Sequence, residues 1–225
     1  MPVLTVIAGP NGSGKSSLIA ALRAQGVELG AYFNADDIAA GLTGSPDEVA
    51  RRAQQIVRDN RSEALAKGRD HSFETVMSHI SHVDYMLEAQ LSGFEVRLFF
   101  VSTDKPEINV GRVKNRVEHG GHNVPQDRII SRYFRCLDNL PSALAVSDHA
   151  WIFDNSQFDL PHRLLATISN RQLTHDRNTR QGTMFEHLAG QGVGHDVNPE
   201  DIPAWWLTVL LEIKPSDPFI DGQLV

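Results

Sequence analysis

The sequence predicts an α/β chain, a three-layer sandwich with a parallel central sheet, and three observations carry that reading. Residues 3–8 form a short apolar, partly β-branched run, the pattern of a strand buried on both faces. A glycine-rich segment follows at once and leads into helical spacing. Apolar runs then alternate with helical stretches, an order that calls for parallel strands covered by helices on both sides.

Taken in order, Leu18, Ile19 and Leu22 give 16–24 a helical period, and Gly26 lies just past its end as a stop. Residues 31–33 make a short strand, followed by the acidic pair Asp36 and Asp37. A long helix over 47–67 has Ser45 and Pro46 as its cap and first turn, and Gly68 ends it. Residues 71–76 read as a strand, 78–91 as a helix and 95–101 as the clearest strand after the first. Two helices over 105–119 and 125–144 flank a polar loop at 120–123, and 151–153 begins a last strand. Beyond residue 170 the composition shifts. Residues 171–194 are rich in Gln, Thr, Gly and His and read as a linker, and 199–214 has the pattern of a helix carrying Trp205, Trp206, Leu207, Leu210 and Leu211. The expected division is a main domain over 1–170, with a helical lid at about 105–135, and a C-terminal extension over 171–225.

The 225 residues suit one large domain or a domain with an appendage, at roughly 150 residues per domain. With 41% hydrophobic and 22% charged residues there is material for a packed core. A net charge of -7 disfavours general attraction to nucleic acid or anionic lipid, so any anion site must be local. Cys136 is the single cysteine, which excludes an intrachain disulfide and a multi-cysteine zinc site and fits a reducing, cytoplasmic setting. The first residues lack the basic flank of a signal peptide. The apolar stretch 204–211 is far shorter than the roughly 20 residues that span a bilayer, so no membrane role is expected.

The chemistry begins at Gly9, Pro10, Asn11, Gly12, Ser13, Gly14, Lys15 and Ser16, with Ser17 beyond, which match the G-x-x-x-x-G-K-[ST] phosphate loop in full. Glycines let consecutive backbone N–H groups turn toward phosphate oxygens, and the following helix adds its positive end. Lys15 supplies a point charge for the β- and γ-phosphates, and Ser16 offers a hydroxyl to Mg²⁺. A glycine turn with a solvated lysine is the plainer reading. The placement between strand and helix argues against it, and with the motif the fold becomes a P-loop NTPase.

In such a sheet ligands collect beyond the carboxyl ends of the strands, where Asp36 and Glu74 fall. Asp36 either accepts a proton from a substrate hydroxyl or caps the short helix after it. Glu74 either binds substrate, assists Mg²⁺ or is a satisfied polar group, since a buried unpaired carboxylate is costly. Arg112 and Arg116 share a helical face, and Arg128, Arg132 and Arg135 form a second row. Residues 111–135 hold six Lys or Arg against two acids, opposite in sign to the whole chain. Phosphoryl transfer needs cations over the γ-phosphate, which an arginine-bearing lid hinged at Gly120, Gly121 and Pro125 would bring; a solvated basic face is the alternative. His71, His79 and His82 lack metal-site spacing and are expected at the surface or in caps. Trp205 and Trp206 either cradle a base or dock on the core.

Together, GPNGSGKSS, FNADDI around Asp36, FETV around Glu74, VRLFFV, and NVGRVKNRV followed by GGHNVP resemble the zeta toxin family of P-loop kinases over roughly residues 3–155. The resemblance implies ATP-dependent phosphorylation of a sugar hydroxyl of UDP-N-acetylglucosamine, with ATP and Mg²⁺ as cofactors. It implies Asp36 as base, Lys15 and Ser16 at ATP and Mg²⁺, Glu74 with Thr75 near the acceptor, and Arg116 on the transferred phosphate. It also admits an antitoxin protein as partner. Two departures matter: the tail after Asn170 has no counterpart in that family, and where the family carries a second lid arginine, this chain has His122, whose charge depends on pH. Arg112 or Arg132 is left to supply the cation. Three functions therefore compete: a kinase of a small hydroxyl-bearing acceptor, led by sugar nucleotides; a kinase of a nucleoside or nucleic-acid hydroxyl; and a nucleotide-switched binding module with weak ATPase activity.

Overall fold

The computed structural model describes residues 1–121, 123–169, 172–174, 205 and 209. Five parallel strands come first in the chain: β1 (Val3–Ala8), β2 (Ala31–Phe33), β3 (His71–Thr75), β4 (Glu95–Ser102) and β5 (His149–Asp154). Two antiparallel strands, β6 (Arg163–Ser169) and β7 (Gln172–Thr174), complete a seven-stranded sheet in the order β2-β3-β1-β4-β5-β6-β7. The helices are α1 (Lys15–Ala24), α2 (Ala35–Ala40), α3 (Pro46–Ala66), α4 (Ser81–Leu91), α5 (Pro106–Glu118), α6 (Gln126–Asp138) and α7 (Leu140–Ala145).

Both faces of the sheet are buried, which explains the apolar runs of β1 and of 98–101 in β4, while β3 carries His71, Ser72, Glu74 and Thr75. Leu4, Val6 and Ala8 of β1 point to one face, where Phe73, Leu98, Phe100 and Ile152 join residues of α4, α6 and α7. Ile7 points to the other, with Leu18 and Leu22 of α1 and Phe99, Val101 and Phe153. The alternation of neighbours along a strand makes this division automatic. Trp205 and Val209, both helical, join the first face, with the Trp205 ring 5.9 Å from that of Phe100. That pair supports core docking of the tryptophan; the remainder of the expected helix over 199–214, and the expected linker from residue 175, lie outside the described residues.

Several expectations are corrected. The sheet does not end with the strand at 151–153, and the short segment Gln172–Thr174, read as the start of the linker, pairs with β6. The stretch 125–144 is not one helix. It breaks at Asn139, and Pro141 sits in the first turn of α7, the position where a missing N–H costs nothing. The helix expected from 78 starts at Ser81, because Met77 takes a left-handed φ of 55° and His79 Nδ1 accepts from the Ser81 N–H. His71 is not a surface residue: it points into the core, with one ring nitrogen on the Arg69 carbonyl at 2.8 Å and the other on the Tyr85 hydroxyl at 2.7 Å. The capping of α3 is as expected, Ser45 and Glu48 closing a reciprocal box.

Among the described residues no helix is long and apolar enough to cross a membrane. Phe100 is fully buried between β1, β5 and the Trp205 ring. Phe100→Ala is expected to lower stability by about 3–5 kcal/mol, read from the urea unfolding midpoint.

Candidate active site

The carboxyl ends of β1, β3, β4 and β5 converge, and the loop between β1 and α1 lies among them. Gly9 N–H donates to the Thr75 carbonyl at the end of β3 (3.2 Å). Gly9 has a φ of 151°, and a Cβ there would stand 2.0 Å from the Val101 carbonyl oxygen, so only glycine lets the loop leave the sheet this close to β4. At the other end Gly14, φ 102°, caps α1.

Side chains from distant elements hold the loop's carbonyls. Asn109 Nδ2, in the first turns of α5, donates to Asn11 O at 2.6 Å, while its Oδ1 accepts from the Thr103 hydroxyl. Asn155 Nδ2 donates to Ser13 O at 2.7 Å, and His162 Nε2 lies 3.2 Å from Gly14 O. Ser13 Oγ and Asn11 Oδ1 are buried with no hydrogen-bond partner among the described residues. Of the two, the Ser13 hydroxyl can donate to a phosphate oxygen, whereas Asn11 Oδ1 is an acceptor.

Lys15 is buried, its Nζ donating to Gly9 O at 2.9 Å and Pro10 O at 3.0 Å, with a Glu74 carboxylate oxygen 3.8 Å away. The 3.8 Å separation is an electrostatic contact and not a hydrogen bond, so the lysine is not locked to Glu74. Burial pushes the Lys15 pKa down, Glu74 opposes this most, and Cys136, Arg116 and Asp36 act on it in turn. Asp36 and Arg116 are both exposed, and Glu74 is the charged group in contact range of the ammonium. The Cys136 thiol is raised by burial and is not a nucleophile.

Asp36 does not cap α2. Asn34 does, its Oδ1 accepting from the Asp36 N–H at 2.8 Å, which leaves the Asp36 carboxylate without a hydrogen bond to a described residue. From Asn34 a polar chain runs inward: its Nδ2 donates to Tyr32 Oη at 3.0 Å, and Tyr32 Oη donates to Glu74 Oε2 at 3.4 Å. The Thr75 hydroxyl accepts from the Met77 N–H at 2.9 Å, a turn contact in a buried position. Ser16 and Ser17 are exposed in the first turn of α1.

The expected lid is anchored at its feet. Asn109 pins α5 to the loop, Val113 is buried, and Tyr133 of α6 donates to Thr103 O at 2.6 Å. Arg116 is exposed near the outer end of α5; Arg132 is partly buried on α6. Arg112 is partly buried on α5, and burial lowers its pKa while the charge of Asp154 opposes this. His122 lies outside the described residues. The residues that sequence reasoning passed over are Tyr32, Asn34, Asn109, Asn155 and His162.

A sheet ordered 2-3-1-4-5 with this loop after its central strand is the architecture of a P-loop kinase. The zeta toxin family model matches residues 1–160, most of the chain, and the protein belongs to that family. An uncharacterized protein of Haemophilus influenzae is 29% identical over 130 residues, covering 56% of this chain and 88% of that one. Among solved structures, the PezAT chromosomal toxin-antitoxin system of Streptococcus pneumoniae aligns with a TM-score of 0.56 at 15% identity, over 96% of this chain and 87% of that one. AvrRxo1-ORF1:-ORF2 with ATP aligns with a TM-score of 0.60 at 14% identity, over 88% of this chain and 65% of that one, just under two thirds of its length. At such identities the structures share the fold.

Gly9→Ala is expected to cost at least about 1 kcal/mol from backbone conformation alone and to weaken nucleotide binding further by lifting the loop off β4; thermal melts with and without ATP read both effects. All three tyrosines are shifted upward by burial, Tyr32 to about 12 with Glu74 adding to it. The folded state therefore keeps its phenols protonated. Their contribution to stability is complete below the unfolded value of 10.0 and is lost as pH rises through the folded values. Absorbance at 295 nm should show no tyrosinate near pH 10 until the chain unfolds.

Proposed function

We propose that the protein is an ATP-dependent kinase that transfers the γ-phosphate to a hydroxyl of a sugar nucleotide such as UDP-N-acetylglucosamine. Family membership supports the phosphotransferase class, and the ATP named with the AvrRxo1 structure supports that donor. The observation that carries the reading is the buried Lys15 ammonium held on the Gly9 and Pro10 carbonyls of the phosphate loop, with the Glu74 carboxylate 3.8 Å away at the carboxyl edge of the sheet.

In this reading Lys15 turns from the Gly9 and Pro10 carbonyls to the phosphate oxygens, exchanging two neutral acceptors for charged ones. Asp36 takes the proton from the acceptor hydroxyl as that oxygen attacks the γ-phosphorus, and its lack of a committed hydrogen bond leaves it able to do so. Glu74, oriented by the Tyr32 hydroxyl, holds the acceptor sugar, with Thr75 behind it. Arg116 offsets charge on the transferred group; Arg112, Arg132 and His122 are the further lid contributors.

Mg²⁺ fits the donor set. Ser16 presents an exposed hydroxyl beside the loop, and this ion takes few protein ligands when phosphates and water supply the rest. No group of three or more His, Cys, Asp or Glu among the described residues offers a metal cage elsewhere. When bound, Mg²⁺ supplies charge neutralisation on the β- and γ-phosphates. The PezAT toxin-antitoxin structure supports an antitoxin protein as partner.

Incubation with labelled ATP, Mg²⁺ and a panel of sugar nucleotides, nucleosides and oligonucleotides tests the proposal. Label on a sugar nucleotide is expected; label on a nucleoside or oligonucleotide overturns the acceptor, and label only on free phosphate overturns the kinase reading in favour of a nucleotide-switched module. Asp36→Asn should keep ATP affinity and slow transfer by about 10²–10⁴, the usual contribution of a general base.

A further inference from the structure

The segment joining β5 to β6 grips the phosphate loop at two consecutive carbonyls. Asn155 Nδ2 holds Ser13 O at 2.7 Å, and His162 Nε2 holds Gly14 O at 3.2 Å. The two gripping residues are tied together, since the His162 N–H donates to Asn155 Oδ1 at 3.2 Å. The Asn155 N–H in turn donates to Ser102 O of β4 at 2.8 Å, so the grip is rooted in the sheet. A carbonyl can only accept, so the His162 nitrogen facing Gly14 carries the hydrogen. Burial, with Arg112 nearby, lowers the His162 pKa and keeps that ring neutral.

Two further features mark this contact as built for a purpose. His162 has a φ of 54°, a left-handed conformation that non-glycine residues adopt at a cost and that surrounding contacts must maintain. The Cβ position of Gly14 lies 2.2 Å from Asn155 Nδ2, so loop and clamp meet with no room for a side chain between them. In a trans peptide the N–H points opposite to the carbonyl of the same unit. The Gly14 carbonyl also accepts the Leu18 N–H of α1 at 3.0 Å, so helix and clamp hold it jointly, while the Ser13 carbonyl is held by Asn155. Fixing the two carbonyls in this way turns the N–H groups of Gly14 and Lys15 to the opposite side, the side on which a phosphate is received.

We propose that Asn155 and His162 are positioning residues that preset the phosphate loop, aiming the Gly14 and Lys15 N–H groups before any nucleotide arrives. This rests on the loop's binding of nucleotide phosphates and is independent of the acceptor. Its signature is that the bare phosphate chain feels the loss as fully as the whole nucleotide does.

The test is calorimetric binding of tripolyphosphate and of ATP, each with Mg²⁺, to the full chain and to His162→Asn and His162→Gln. Asn accepts the left-handed backbone, but its amide ends near the Nδ1 position and falls short of Gly14 O; the Gln amide reaches the Nε2 position. His162→Asn should weaken both probes by a similar factor, roughly three- to tenfold for one lost hydrogen bond, and His162→Gln should restore both to within about twofold. Unchanged tripolyphosphate affinity in His162→Asn overturns the proposal. So does a loss confined to ATP, which would place His162 at the nucleoside, or a folded His162→Gln that restores neither. Should His162→Asn not fold, Asn155→Asp keeps the acceptor for the His162 N–H, removes the donor to Ser13, and is judged by the same two probes. A parent chain that binds neither probe defeats the nucleotide reading itself, and the proposal with it.

Discussion

Where a parallel sheet is covered on both faces, ligands are received beyond the carboxyl ends of its strands, and that constraint organises this molecule. Where β1, β3, β4 and β5 stop together, the backbone bonds pass from the ladder to the loops, with the Thr75 and Ser102 carbonyls accepting from the N–H groups of Gly9 and Asn155. The loop after β1 fills that edge. It leaves so close to β4 that the Val101 carbonyl stands where a Cβ of residue 9 would be, and it receives the Lys15 ammonium on the carbonyls of Gly9 and Pro10. A buried ammonium without phosphate nearby must be satisfied by something. Here the loop's own oxygens do it, with Glu74 supplying charge from the neighbouring strand.

The carboxylates are placed by local turns. Asn34 caps α2 through the Asp36 N–H, and the same side chain passes a hydrogen bond to Tyr32 and on to Glu74. One acid from helix α2 and one from strand β3 are thereby linked through one polar chain, Glu74 engaged by a phenol and Asp36 left with its oxygens uncommitted. The loop is held differently, by amides and an imidazole that grip its carbonyls. The two sides of this edge thus differ in chemistry: acids beside β2 and β3, neutral donors behind the loop.

Much of this was legible in the chain. The loop motif is local, its glycines and lysine lie within eight residues of one another, and β1 and β4 announce themselves by apolar runs, whereas β2 is only three residues long and β3 is largely polar. Helix boundaries were readable where a cap was explicit, as at Ser45, and misread where a proline near a helix start passed for interior sequence, as at Pro141. The antiparallel strands β6 and β7 were missed because they are partly exposed or short and carry no run of buried apolar residues. Asn109, Asn155 and His162 could not be found by spacing at all: they stand 98, 142 and 148 residues from the loop atoms they hold. A polar side chain acquires such a role only through topology, and a lone Asn after a strand looks like any other turn residue.

The docking of Trp205 and Val209 on the face that holds Phe100 gives the protein two different lengths. The family likeness ends at residue 160, yet the hydrophobic layer under β4 is joined by side chains that the ribosome adds some forty residues later. During synthesis, then, the phosphate loop and the strands around it have emerged while one face of the sheet still waits for that contact, so the fold's edge is built before its shelter is.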